Sequence, residues 1–331
     1  MIEGHGDDIY KYGPIRCNFS SNISPLIDTS ELRQYLSTRL EVIDHYPEPS
    51  AHSLEVALAK EHDIHPEEVL VTSGATDAIY LIAQTLRDER TFNVKNPTFS
   101  EYADACKMYG FEGSTRYGAV RWLCNPNNPT GELRQLDSIQ TLSSWHKWVV
   151  IDQSYEAYAI NKTLTPREAI AIQNVIQIHS MTKRFAIPGL RLGYIVAPAP
   201  MIERLRANHR PWAVNALAIE AGLWLLEHKN PYERFLIEKL LSDAKVLANK
   251  LRSIPGIIVT PSDTNFMLCS IKQATAAQLK AYLLEKHQFL IRDASNFAGL
   301  KNTYFRISTQ KPEYNDELVE AITNFIKEKN G

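Results

Sequence analysis

Lys183 closes a stretch whose residue types could do covalent chemistry. It reads Ser180-Met181-Thr182-Lys183, then Arg184-Phe185-Ala186-Ile187-Pro188-Gly189-Leu190-Arg191-Leu192-Gly193-Tyr194. The apolar run Val175-Ile176-Gln177-Ile178 carries the lysine to the end of a buried strand, with hydroxyls beside it and Arg191 eight residues on. An amine lodged there can condense with an aldehyde as a Schiff base, while Ser180 and Arg191 hold a phosphate. Most lysines are solvated surface groups, so this reading needs support from elsewhere in the chain.

Three further stretches supply it. Cys124-Asn125-Pro126-Asn127-Asn128-Pro129-Thr130-Gly131 is a tight turn after an apolar strand. Val149-Val150-Ile151-Asp152-Gln153-Ser154-Tyr155 ends another strand on an aspartate, with a tyrosine three residues later. Tyr304-Phe305-Arg306-Ile307-Ser308 sets an arginine in a strand. Each has a plainer reading alone: a loop, a capping aspartate, a surface arginine. In this order they resemble the motifs of the fold-type-I pyridoxal-phosphate enzymes, the class I/II aminotransferase family, and they span nearly the whole chain.

The resemblance implies an α/β fold. A mainly parallel sheet covered by helices would form a large, aspartate-aminotransferase-like domain (45–220). A smaller α+β domain (1–44 plus 221–331) would close over the substrate. It also implies pyridoxal 5'-phosphate as cofactor, with Lys183 carrying it and later moving the substrate proton. Asp152 would face the pyridine nitrogen and keep it protonated, and Asn128 and Tyr155 would bond the ring oxygen. Gly74, Ala75 and Thr76 open a helix whose N-terminal amides would hold the phosphate with Ser180 and Arg191. Phe99 would stack on the ring. Tyr46 would reach the phosphate of a neighbouring subunit in a homodimer. Arg306 would take the substrate carboxylate, Asn22 would fold over it, and Arg292 and His5 would bind a phosphate on the substrate. No metal is called for.

Two branches of the family fit. Histidinol-phosphate aminotransferases share Tyr46-Pro47-Glu48, the Asn127-Asn128-Pro129-Thr130-Gly131 turn and Ile291-Arg292-Asp293. Threonine-phosphate decarboxylases of cobalamin biosynthesis share the same core. They also share His5-Gly6-Asp7, Asn18-Phe19-Ser20-Ser21-Asn22-Ile23-Ser24-Pro25 and Ser295-Asn296-Phe297-Ala298-Gly299-Leu300. The expected reaction is amino transfer on a phosphorylated amino acid or amino alcohol, with decarboxylation as the alternative. Gly74-Ala75-Thr76-Asp77 departs from both branches, which carry an acidic pair directly after the glycine. A non-catalytic binding or regulatory protein is a more remote alternative. No Gly-x-Gly-x-x-Gly follows a strand, and no basic helix is attached.

The elements needed to position these residues are visible as patterns. Strand-like runs at Val69–Thr72, Thr91–Val94, Arg121–Cys124, Trp148–Asp152, Asn174–His179 and Leu192–Val196 alternate with helical or loop segments, as in a covered parallel sheet. Helices are expected at Ser30–Leu40, Ser53–His62, after Ser73, Ala213–Glu227, Pro231–Ile254, Thr275–Lys286 and Tyr314–Lys329. Short strands are expected at Ile257–Thr260, Asn265–Ser270, Phe289–Arg292 and Tyr304–Ser308.

The chain has 331 residues, 36 basic against 38 acidic, for a formal charge of −2. No basic patch suggests a nucleic-acid partner, and no apolar run is long enough for a bilayer. The N-terminus is acidic and lacks a signal peptide's regions, and the four cysteines have no CxxC spacing. A reduced, cytoplasmic enzyme is the expectation.

Overall fold

The structure is a computed structural model describing residues 7–330. Its strands are β1 (Cys17–Asn18), β2 (Val69–Thr72), β3 (Thr91–Asn93), β4 (Glu112–Gly113), β5 (Val120–Cys124), β6 (Trp148–Asp152) and β7 (Val175–Ser180). There follow β8 (Gly193–Val196), β9 (Ile257–Val259), β10 (Phe266–Ile271), β11 (Phe289–Leu290), β12 (Arg292–Asp293) and β13 (Tyr304–Ser308).

Seven strands form the central sheet in the order β2-β8-β7-β6-β5-β3-β4. Only β8 runs against its neighbours β2 and β7; the remaining pairs are parallel. The near-continuous apolar runs of β5, β6 and β7 follow from burial on both faces. Alternate residues serve opposite layers, as a two-residue side-chain period requires. Val150, Ile176 and Ile178 join one core with Ile79, Ile82 and Trp122. Val149, Ile151 and Val175 join the other with Leu123 and Ile139. Each such side chain, removed from water, contributes about 1.5–3 kcal/mol.

A second, antiparallel sheet has the order β12-β13-β10-β9, and β1 pairs in parallel with β11. The helices Glu233–Arg252, Ala276–His287 and Pro312–Asn330 accompany these strands in the chain. Their shared core runs from Phe19 through Leu247, Leu279 and Phe289 to Phe305 and Ile322. The run 289–292, expected as one strand, is two. Phe289–Leu290 pairs with the N-terminal segment, while Arg292–Asp293 pairs with β13. Five further helices, Glu101–Met108, Leu136–Trp145, Pro166–Ile170, Met181–Arg184 and Ala199–Arg206, are not announced by the sequence pattern.

The helix Ala216–Glu227 shares its core with β2 and β8 through Ala218, Ile219 and Ala221, and Leu32 joins the same cluster. Tyr35 also donates to Glu220 at 2.6 Å. We therefore propose that the two units divide at the linker 228–232, with residues 30–44 belonging to the large one.

Candidate active site

Parallel strands end side by side, so the loops after β5, β6 and β7 share one edge, the usual place for a ligand in an open α/β sheet. The register puts Cys124 beside Asp152, and Asp152 beside Ile178. A cavity of about 210 Å³ opens there. It is lined by Lys183, Asp152, Tyr155, Asn128, Arg306 and Arg191, with Asn22, Phe99, Ala75, Thr76 and Ser180 also from the predicted set; Gly74 adjoins it at the start of the helix that Ala75 and Thr76 continue. A larger cavity, about 540 Å³, lies by Trp224, Tyr232 and Leu236 and contains none of these residues. The predicted residues gather at the smaller one.

Asp152 is buried. Its Oδ2 accepts from the Tyr102 hydroxyl at 2.7 Å and its Oδ1 from the Ser154 amide at 2.9 Å. Burial raises its pKa, and these donors oppose the rise by favouring the anion. Tyr102, on the unassigned helix Glu101–Met108, stacks on Trp122 at 5.4 Å and meets Phe99 edge-on at 5.7 Å. Sequence reasoning missed it. The helical spacing of Tyr102, Ala105 and Cys106 marks an apolar face but not a hydrogen bond to a residue fifty positions away.

Lys183 sits in the single turn Met181–Arg184, directly after β7. Desolvation brings its pKa down to about 8; Arg306 and Arg191 push the same way, and Asp7 and Asp152 push back. The free amine is therefore available near neutrality rather than above the ordinary lysine range. In cofactor-free protein, acetylation of Lys183 followed by mass spectrometry should rise with pH about a midpoint near 8. Arg306→Gln should move that midpoint up, because a cation that disfavours the protonated amine is gone; a midpoint that falls or stays would contradict this charge map.

Gly74 has φ +84° and begins the helix Gly74–Thr85. A Cβ there would lie 2.6 Å from Nη2 of Arg191, so only glycine lets the guanidinium cross the helix start. Arg191 itself has φ +56° and makes one long bond, 3.4 Å, to the Pro188 carbonyl. Gly193 is equally confined: a Cβ would fall 2.9 Å from the Ala75 nitrogen. The result is an exposed guanidinium over a helix N-terminus, a cradle suited to a phosphate.

The opposite wall belongs to Arg306. Its Nη1 donates to Asn128 Oδ1 at 2.5 Å and its Nη2 to the Ser20 carbonyl at 2.7 Å. Its charge lies 5.6 Å from the Phe266 ring, and its buried Nε has no partner. Burial lowers its pKa to about 10. Both side-chain amide atoms of Asn22 are likewise buried without partners. Unpaired buried donors and acceptors are costly, and here they lie at a cavity a ligand can fill. Tyr155 meets Phe266 edge-on at 4.9 Å, and burial pushes its phenol up to about 12.

Tyr46 and Arg292 lie outside this lining. Tyr46 is 86 % exposed beside Trp212 and does not line the cavity. Arg292 is buried and stands directly opposite Arg306 across β12 and β13, outside the cavity lining. Its Nη2 donates to Asn296 at 2.8 Å and its guanidinium covers Phe297. His5 falls outside the described residues. Asp7 and Ser20 line the cavity and had been given no role.

The family model for aminotransferase class I and II matches residues 38–122 and 116–322. A solved structure of L-threonine-O-3-phosphate decarboxylase from Porphyromonas gingivalis is 39 % identical, with TM-score 0.89 over 94 % of this chain and 99 % of that one. The threonine-phosphate decarboxylase of Salmonella typhimurium is 27 % identical over 93 % of this chain and 91 % of its own. Histidinol-phosphate aminotransferase 2 of Archaeoglobus fulgidus is 27 % identical over 92 % of each. The chain belongs to the aminotransferase class I and II family.

Proposed function

We propose that this member of the aminotransferase class I and II family acts on a phosphorylated amino acid or amino alcohol, using pyridoxal 5'-phosphate. The residues present fit that cofactor. The cradle of Gly74, Ala75, Thr76, Ser180 and Arg191 takes its phosphate, and Asp152 lies where a pyridinium would need an anion. Asn128 and Tyr155 can bond the ring oxygen, Phe99 can cover the ring, and Lys183 has the lowered pKa of a usable amine. When bound, the cofactor withdraws electrons from the substrate's α-carbon.

The protein supplies the rest. Arg306 would bind the carboxylate of an amino-acid substrate, and Asn22 would cover it. Asp152, whose anion Tyr102 and the Ser154 amide favour against the burial that raises its pKa, would hold a proton at the ring nitrogen. Lys183, whose pKa of about 8 makes the free amine far more accessible than in an ordinary lysine, would carry a proton to and from the reacting carbon.

The observation carrying the substrate class is the register of Arg292 on Arg306. Both arginines are buried and the charge of Arg292 disfavours that of Arg306, so the phosphate and carboxylate of a phosphorylated amino acid would relieve both, and the phosphate of an amino alcohol one of them. Amino transfer and decarboxylation both begin from such a complex. Which bond breaks depends on how the substrate carboxylate is oriented. The likeness to the Porphyromonas gingivalis enzyme favours decarboxylation; the similarity to the Archaeoglobus fulgidus relative supports amino transfer.

An absorbance time course separates the two. Cofactor-loaded protein is mixed with O-phosphothreonine, or with histidinol phosphate, without any keto acid. A visible band that bleaches and stays bleached reports amino transfer. A perturbed band that returns while carbon dioxide is released reports decarboxylation. No spectral response to either compound would remove the phosphorylated-substrate reading.

We also propose a cytoplasmic homodimer. All four cysteines are free and buried, as suits a reducing compartment. Among the described residues no helix is long and apolar enough to cross a membrane. Tyr46, Trp212, Leu40 and Ile43 are exposed large apolar residues, and the first two lie together. A second subunit would cover them and bring Tyr46 to its partner's site.

A further inference from the structure

Two of the cavity-lining residues, Asp7 and Asp152, are carboxylates. Asp152 is buried and tied to Tyr102, whereas Asp7 is half-buried and belongs to an N-terminal strap. The strap is pinned from outside. Lys280 Nζ lies 3.1 and 3.2 Å from the two carboxylate oxygens of Asp8, and the Tyr12 hydroxyl donates to the same group at 3.0 Å. Inside, Asp7 has φ +63°, a conformation costly for a residue with a Cβ. Its amide donates to Ser20 Oγ at 3.1 Å, and its Oδ1 accepts from Asn18 Nδ2. The carbonyl of that same Ser20 holds Arg306. Asp7 and Arg306 thus line one cavity and share Ser20 as a hydrogen-bond partner. Its charge favours the protonated form of both Lys183 and Arg306.

We propose that Asp7 is a specificity-determining residue: its carboxylate serves the empty enzyme as an internal counter-anion to Lys183 and Arg306, and an anionic substrate must displace it. The inference rests on reading this cavity as the substrate site. An internal competitor lowers the fraction of binding-competent enzyme, so it raises KM for every anionic substrate. It has little leverage on kcat, because the displaced carboxylate is absent from the reacting complex. It also spares Arg306 from lying buried without an anion while the site waits.

Steady-state kinetics of the cofactor-loaded Asp7→Asn protein with O-phosphothreonine and histidinol phosphate test this. Asparagine keeps the bond to Asn18 by an amide flip and removes only the charge. For whichever compound is turned over, KM should fall about tenfold while kcat moves by less than about twofold. The visible band should titrate at lower pH, because an anion near Lys183 is gone. Asp8→Asn, which unpins the strap but keeps the Asp7 charge, should lower KM by a smaller factor in a protein with all cavity residues intact. An unchanged KM in both variants, or a higher KM in Asp7→Asn, overturns the proposal; the higher value would mean that Asp7 grips the substrate. If the wild-type protein forms no visible band at all, it is the cofactor-site reading that has failed.

Discussion

Lys183→Ala should leave a protein that folds, yet forms no visible band with pyridoxal 5'-phosphate and loses turnover by at least ~10⁴-fold. One side chain is asked both to hold the cofactor and to move the substrate proton, and positioned proton transfer alone is worth about 10²–10⁴-fold. The fold should tolerate the change. The lysine occupies one turn after β7, and its backbone carbonyl accepts from the Tyr158 hydroxyl and the Ala186 amide, bonds that alanine keeps. Absorbance of the loaded protein and its thermal transition are the measurements. A retained band would move the cofactor site away from Lys183; a collapsed transition would mean that the lysine is structural.

Arg292→Ala should be the most selective change. If the buried Arg292–Arg306 pair is arranged for a substrate with two anionic groups, removing Arg292 strands the substrate's phosphate. Truncating one partner of a buried charge pair costs about 2–5 kcal/mol, so kcat/KM for a phosphorylated substrate should fall about 30- to 5,000-fold. The same ratio for an unphosphorylated analogue should change only a few-fold. Arg306 retains its bonds to Asn128 and Ser20, so carboxylate binding survives. Equal losses on both substrates would assign Arg292 to the support of the β12–β13 pair instead.

The parts of this site that can be read from the sequence are those whose signal is local. Asp152 and Ser180 end apolar strands, and Gly74 opens an apolar-faced helix, so their neighbours announce both the element and its edge. Asp152–Tyr155 and Lys183–Arg191 are then held at set distances by a strand end and a short turn. What escaped depends on long-range packing. Tyr102 reaches Asp152 because a helix of eight residues, too short to stand out by periodicity, docks on the sheet. Asp7 reaches the cavity through Ser20 and Asn18, whose partners are chosen by tertiary contact. The break at Ile291 is of the same kind: the local pattern is one continuous apolar run, and the two sheets competing for it divide it.

The parallel pairing of β1 with β11, and the bond from Arg306 to the Ser20 carbonyl 286 positions earlier, bear on how the protein is made. On the ribosome, domains generally fold as units, those nearer the N-terminus first. The seven strands of the central sheet all lie between residues 69 and 196, so the cofactor cradle can close while the rest is still being translated. Residues 17–20 must wait through that interval for partners near the end of the chain. A nascent protein stalled before β11 would carry a phosphate cradle but no carboxylate clamp. On the proposed reading of the site, release of the C-terminal strands would be the event that adds the substrate-binding arginine to a chain already able to hold the cofactor's phosphate.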